Sequence, residues 1–64
     1  MSSEFFGFVG NSYARFSLKN GVLIMQLQDV GVFTNLKTIY KDPNWSARIK
    51  QLIEEAAAHY EVTL

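Results

Sequence analysis

Residues 14–19 alternate apolar and polar side chains, Ala14-Arg15-Phe16-Ser17-Leu18-Lys19, and the alternation stops at Asn20-Gly21. A period of two marks a strand with one buried face. Asn-Gly supplies the positive φ angles that a two-residue hairpin loop demands. With that loop fixed, counting outward sets Lys19 opposite Val22, Leu18 opposite Leu23, Ser17 opposite Ile24, Phe16 opposite Met25, Arg15 opposite Gln26 and Ala14 opposite Leu27. One face then carries Ala14, Phe16, Leu18, Leu23, Met25 and Leu27, and the other Arg15, Ser17, Lys19, Val22, Ile24 and Gln26. The two strands agree on the apolar face independently, an agreement that a slip of one residue would destroy.

Upstream, residues 4–9 are rich in aromatics and run into Gly10-Asn11-Ser12, which predicts a further strand and turn, weakened by Gly7. The neighbours Phe5 and Phe6 must point to opposite faces, so at least one of the Phe5, Phe6, Phe8 group needs cover from another element or chain. Downstream, Asp29-Val30-Gly31 reads as a turn and residues 32–41 as another strand. Its alternation puts Thr34, Leu36, Thr38 and Tyr40 on the side of Met25 and Leu27, and Phe33, Asn35, Lys37 and Ile39 on the opposite side.

The period then changes. Asp42-Pro43 predicts a helix start, because Asp caps and Pro at the first helical position loses no needed hydrogen bond. Trp45, Ile49, Leu52, Ile53, Ala56 and Tyr60 form one helical stripe across residues 43–61. Lys50 and Glu54, four apart, are a pair of the kind that supports an exposed helix face, and residues 62–64 are expected to fray or pack loosely. The predicted architecture is one small α+β domain: an antiparallel meander of three or four strands within residues 5–41, followed by one C-terminal helix packed on one sheet face.

Composition narrows the chemistry. The 64 residues include no cysteine and one histidine, His59, which excludes disulfides, thiol chemistry and a structural zinc site. The lack of cysteine fits a cytoplasmic protein. No apolar run approaches the roughly 20 residues of a membrane helix, and Met1-Ser2-Ser3-Glu4 lacks the positive stretch of a signal peptide, so no membrane association is expected. Asn44-Trp45-Ser46 is a formal glycosylation sequon, read as chance without a secretory signal. A chain this short builds a core that rarely supplies more than about 3–5 kcal/mol, and small domains commonly add disulfides, a metal or a partner. The first two being excluded, a partner or a second copy becomes the favoured remedy.

One helix covers one face of a small sheet and leaves the other. On this register the uncovered face shows Arg15, Ser17, Val22, Ile24, Gln26, Phe33, Asn35, Lys37 and Ile39, with Tyr13 and Lys19 at its margins. A solvated face reads as Thr, Lys, Glu and Gln; this one mixes aromatic and β-branched residues with cations and amides, the composition of an interface. Tyr13, Arg15, Val22, Ile24, Gln26, Phe33, Asn35, Lys37 and Ile39 are therefore the candidate interface. An ordinary outer face with scattered hydrophobes is the competing account.

Charge is placed unevenly: residues 5–41 carry a net +3 and residues 42–64 a net −2, with Glu4 bringing the chain to zero. A mildly positive sheet with exposed aromatics also suits single-stranded nucleic acid, with Arg15, Lys37, Tyr13 and Phe33 as the contacts, although four cations are few for that role. Strands followed by a helix that begins at Pro43-Asn44-Trp45 resemble the layout of the positive-cofactor-four family of single-strand-binding transcriptional coactivators. The resemblance covers element order from about Tyr13 onward, and it implies sheet-based binding of single strands without assigning binding residues. That family's strands carry more lysine.

Catalytic candidates are sparse. Gly7-Phe8-Val9-Gly10 matches a bare GxxG, but its flanks are strand-like, whereas the phosphate-clamping loop sits between helices. Glu55 and His59 are four apart on the helix, Glu54 and Glu55 point about 100° apart, and no nucleophile, base and orienting group converge. A chain of this length also leaves little room for a pocket of roughly 300–1,000 Å³. The sequence thus points to a non-enzymatic interaction module without cofactor, metal or small-molecule substrate. Its expected partner is another protein or a second copy of itself, as in small inhibitors or adaptors of the kind phages and mobile elements encode. Single-stranded nucleic acid is the alternative partner.

Overall fold

Asn20 and Gly21 hold φ of 54° and 79°, the two positive values of a type I′ turn, and the strands on either side pair in the register counted from that turn. The computed structural model describes residues 4–64; Met1, Ser2 and Ser3, which bear on the signal-peptide question, lie outside the described residues. Four strands, β1 (Phe5–Val9), β2 (Ser12–Lys19), β3 (Val22–Leu27) and β4 (Gly31–Phe33), form one antiparallel sheet in the order β1-β2-β3-β4. Two helices follow, α1 (Leu36–Lys41) and α2 (Ala47–Tyr60). The β1–β2 loop is again two residues long: Gly10 has φ of 62° and Val9 lies opposite Ser12.

The sequence reading of residues 32–41 as a strand holds for Val32 and Phe33 and is overturned beyond them. The ladder stops at Phe33, and residues 36–41 form a short helix. Both periods fit this segment, since Leu36, Ile39 and Tyr40 stand at helical spacing while Leu36, Thr38 and Tyr40 alternate. Packing decides. As a helix, α1 turns Leu36 and Ile39, three apart, into the same core and buries both. Asn35 occupies the N-cap position without making a side-chain cap bond, so α1 rests on its packing against β3 and α2.

The predicted start of the long helix is corrected as well. Asp42 ends α1, Trp45 N–H donates to its carbonyl at 3.3 Å, and Asn44 N–H donates to its Oδ1 at 2.9 Å. Pro43 therefore occupies the second position of a β-turn, which its fixed φ suits as well as it suits a helix start. The cap of α2 is Ser46, whose Oγ accepts from Ile49 N–H at 3.2 Å. Trp45 stands in the turn between the helices, with its ring edge-on to Phe33 at 5.3 Å.

The core lies between the sheet and the two helices. It contains Ala14, Phe16, Leu23, Met25 and Leu27 from the sheet, Leu36 and Ile39 from α1, and Leu52, Ile53, Ala56 and Ala57 from α2. Leu18 belongs to the same face by register but lies toward the hairpin end and stays exposed. Three features seat α2. Arg48 Nε donates to the Phe8 carbonyl of β1 at 2.9 Å, Tyr60 O–H donates to the Phe16 carbonyl of β2 at 3.0 Å, and between them Leu52 fills the space above Gly7. A Cβ at Gly7 would stand 2.2 Å from one Leu52 methyl carbon and 2.9 Å from the other. The glycine that weakens β1 as a strand is what lets the helix settle on it.

The helix ends on Glu61 in the left-handed region (φ 58°), and Val62 N–H reaches back to the Ala57 carbonyl at 2.8 Å. Residues 62–64, expected to fray, are held by this bond and by Leu64, which packs against the core.

Two stability outcomes follow from this packing. Gly7→Ala lowers the unfolding free energy by about 1–3 kcal/mol in urea titrations, and the loss is less than additive with Leu52→Ala because both act on one space. Glu61→Gly raises stability by about 1 kcal/mol, read as a higher urea midpoint, because it relieves a left-handed non-glycine residue and removes an acid from a helix C-terminus.

Candidate interaction face of the sheet

Both helices lie on one side, so the other side of the sheet is open. Its geometry follows from the ladder, in which residues directly opposite one another share a face. One row crosses all four strands: Phe6 opposite Arg15, Arg15 opposite Gln26, and Gln26 opposite Val32. Phe8 opposite Tyr13 forms the row on one side of it. Ser17 opposite Ile24 and then Lys19 opposite Val22 lie on the other side. Exposure is high where the side chains are apolar: Phe6 54%, Phe8 67% and Val32 61%, with Tyr13 and Val22 also exposed. Phe6 and Tyr13 meet edge to face at 6.3 Å, Arg15 Nη2 donates to Gln26 Oε1 at 2.9 Å, and Glu4 lies 3.9 Å from the Arg15 guanidinium at the rim. The polar groups in the middle of the face thus already have partners, whereas Phe8, Val22 and Val32 stay exposed and Phe6 and Tyr13 cover one another only in part.

The structure brings Tyr13, Arg15, Val22, Ile24 and Gln26 together on this face, as the register requires. It places four other candidate residues elsewhere. Phe33 lies opposite Met25 on the covered side, against Trp45; Ile39 is in the core; Asn35 precedes α1 and Lys37 is exposed on it. The reason is the pairing of β4: with Phe33 opposite Met25, Val32 points outward, the reverse of the orientation inferred from residues 34–40. Phe6, Phe8 and Val32 are the residues of this face that sequence reasoning did not assign. The adjacent Phe5 and Phe6 were the available signal for β1. Which of them turns outward was set by Gly7, whose missing side chain admits Leu52 and so puts Phe5, Gly7 and Val9 on the helix side.

The two edges of the sheet differ from its face. Along β1 the Arg48 guanidinium occupies the Phe8 carbonyl, and β4 is three residues long before the chain turns into α1. Charged cover and short length are both devices that keep a strand edge from pairing with another chain.

Elsewhere His59, Tyr60, Tyr40 and Glu54 make contacts within the fold. His59 lies 5.5 Å from the Phe5 ring and 4.8 Å from that of Tyr60. Tyr40 O–H donates to the Glu54 carboxylate and ties α1 to α2. Among the described residues no group of three or more His, Cys, Asp or Glu stands together as a metal site, and no helix is long and apolar enough to cross a membrane. A shallow depression between the β2–β3 turn, the start of α1 and residues 62–64 is lined by Val22, Leu36, Lys37 and Leu64.

No protein-family model, curated protein or solved structure matches the chain. The likeness to the positive-cofactor-four layout therefore rests on element order alone, and the Pro43-Asn44-Trp45 segment quoted for it forms the turn between two helices.

The Tyr40 phenol is held above its ordinary value of 10.0, first by its hydrogen bond to Glu54, then by desolvation and by the negative charge of that carboxylate. The contribution of this bond is complete below the unfolded phenol's value and is lost as pH rises through the raised folded value. Alkaline titration at the phenolate absorbance is expected to show a late-titrating group that disappears in Tyr40→Phe and moves back toward 10.0 in Glu54→Gln.

Proposed function

We propose that this protein is a non-catalytic interaction module that binds another protein surface through the open face of its sheet. The observation that carries this reading is the contrast between edges and face. Arg48 takes one carbonyl of the β1 edge and the β4 edge is three residues long, whereas the face sets Phe6, Phe8, Tyr13, Val22 and Val32 in solvent around a hydrogen-bonded Arg15–Gln26 pair. Exposed aromatics and an arginine, with one acid at the rim, match the residue preferences of protein interfaces. Four strands about 4.8 Å apart and about five residues long project a face of roughly 350 Å², which the apolar residues share with Arg15, Ser17, Lys19 and Gln26.

A second reading draws on one feature of the same face. Phe6, Phe8 and Tyr13 beside Arg15 form a platform on which bases of a single strand stack. The cations of the face are Arg15 and Lys19, and Glu4 lies beside the first of them; Lys37, named for this role from sequence, stands on α1. Two phosphate contacts give a salt slope no steeper than about 1.4.

The experiment compares the wild-type chain with Phe8→Asp and Val32→Asp as baits in the native host's extract, with bound proteins identified by mass spectrometry. Prey retained by the wild type and lost by at least tenfold on both variants is expected. Prey retained equally by all three overturns the reading. Fluorescence anisotropy with single-stranded DNA and RNA at low salt is expected to show no binding; an affinity that falls with salt and with Phe8→Asp moves the conclusion to the nucleic-acid reading.

A further inference from the structure

The hairpin that sets the register of the sheet also runs past its neighbours. Pairing of β1 with β2 reaches Phe16, and pairing of β4 with β3 begins at Met25. Among the described residues, the pairs Ser17–Ile24, Leu18–Leu23 and Lys19–Val22 therefore stand in a ribbon two strands wide. Residues 18–22 are all exposed, and the buried Leu23 ties this tip to the core. A two-stranded ribbon holds weakly by itself, so this end of the sheet opens without the rest of the fold.

The tip carries Asn20-Gly21, and the pair has a chemistry of its own. The Asn20 carboxamide carbon and the Gly21 amide nitrogen are two ends of a five-membered ring that a single bond would close. In the closed turn that bond cannot form. The φ values of 54° and 79° are those of a type I′ turn, whose first central residue has ψ of roughly 30°. This ψ turns the Gly21 nitrogen nearly opposite to the Asn20 side chain across the Cα–C bond. Opening of the tip frees that rotation. The Asn20 amide makes no hydrogen bond to the described residues, and the Gly21 N–H lies outside the two bonds that Lys19 and Val22 exchange. Gly21 has no side chain to shield its nitrogen, and open space lies where one would project.

We infer that Asn20 is a site of spontaneous covalent modification, reached through local opening of the β2–β3 tip and independent of any partner of the open face. The only co-reactant is water. The Gly21 nitrogen loses its proton and bonds to Asn20 Cγ; the Cγ–Nδ2 bond breaks, and Nδ2 leaves as ammonia with that proton. Water then opens the resulting succinimide at either carbonyl. Opening at Cγ gives aspartate at this position, and opening at the main-chain carbonyl gives isoaspartate, whose backbone runs through Cβ. Both products add a negative charge beside Lys19. They part in what they do to the sheet. Aspartate before glycine suits a type I′ turn as asparagine does. Isoaspartate lengthens the loop by one backbone atom, so the Lys19–Val22 pair no longer closes on it and the register loosens from the tip inward.

The folded protein is incubated at mildly alkaline pH, cleaved at its two arginines, Arg15 and Arg48, and mapped by mass spectrometry, with isoaspartate counted by enzymatic methylation. Conversion at Asn20 is expected to exceed that at Asn11, Asn35 and Asn44 at least tenfold, and Asn20→Gly, which keeps the turn, is expected to remove it. Ile53→Val, a mild core truncation that raises the unfolded population several-fold, is expected to leave the rate within twofold of wild type. The isoaspartate form is expected to unfold at a lower urea concentration than Asn20→Asp, which carries the same charge. An Asn20 that stays intact in the folded protein while the excised piece 16–48 converts overturns the inference. A rate that climbs with the unfolded population in Ile53→Val overturns local opening as the route. An isoaspartate form as stable as Asn20→Asp overturns the effect on the register.

Discussion

The close approach of Leu52 to Gly7 organises this protein. A helix lying on a sheet normally meets a layer of side chains, and the absence of one at Gly7 lets α2 rest directly on the β1 backbone. Arg48 and Tyr60 then bond to strand carbonyls on either side of that point, so the helix is fixed in position as well as packed. The pleat carries the consequence through the strand. With Gly7 turned to the helix, Phe5 and Val9 turn with it, and Phe6 and Phe8 must face away. The contact that builds the core is therefore also what puts two phenylalanines in solvent.

Cover of the sheet is shared between the helices, α2 packing most closely on β1 and α1 on β3. Helix α1 supplies the missing cover with Leu36 and Ile39, and the turn after it brings Trp45 against Phe33 at the short β4. This tiling builds the core from several side chains each of β2, β3, α1 and α2, with Phe16, Met25, Leu52 and Ile53 the largest that are fully buried. Tyr40 and Glu54 join the two helices on the outside, which makes α1 part of the same unit although six residues are too few to hold a helix alone.

The two arginines that bond to the sheet do so at different places. Arg48 is spent on the β1 edge, where a free carbonyl would invite another strand. Arg15 is held by Gln26 in the middle of the open face, with Glu4 offsetting its charge at the rim. Arg48 thus bonds at an edge and Arg15 across the open face.

The hairpin of β2 and β3 was legible in full. Asn20-Gly21 admits essentially one loop geometry, and that loop fixes every pair from Lys19–Val22 to Ala14–Leu27 by counting. The apolar stripe of α2 was legible for the same reason, since a local period survives whatever the chain packs against. With them came five of the open-face residues, Tyr13, Arg15, Val22, Ile24 and Gln26. Residues 32–41 were not legible, because Leu36, Thr38, Ile39 and Tyr40 satisfy a strand and a helix equally well over so short a span. Their state was decided by where uncovered sheet remained, a property of the folded molecule. The same holds for Phe6, Phe8 and Val32: alternation says that neighbours point apart, but which of them meets solvent depends on where α2 comes to rest and how β4 joins the ladder. Local dihedral preference and periodicity are written residue by residue, whereas the choice of side is made by contacts between elements distant in sequence.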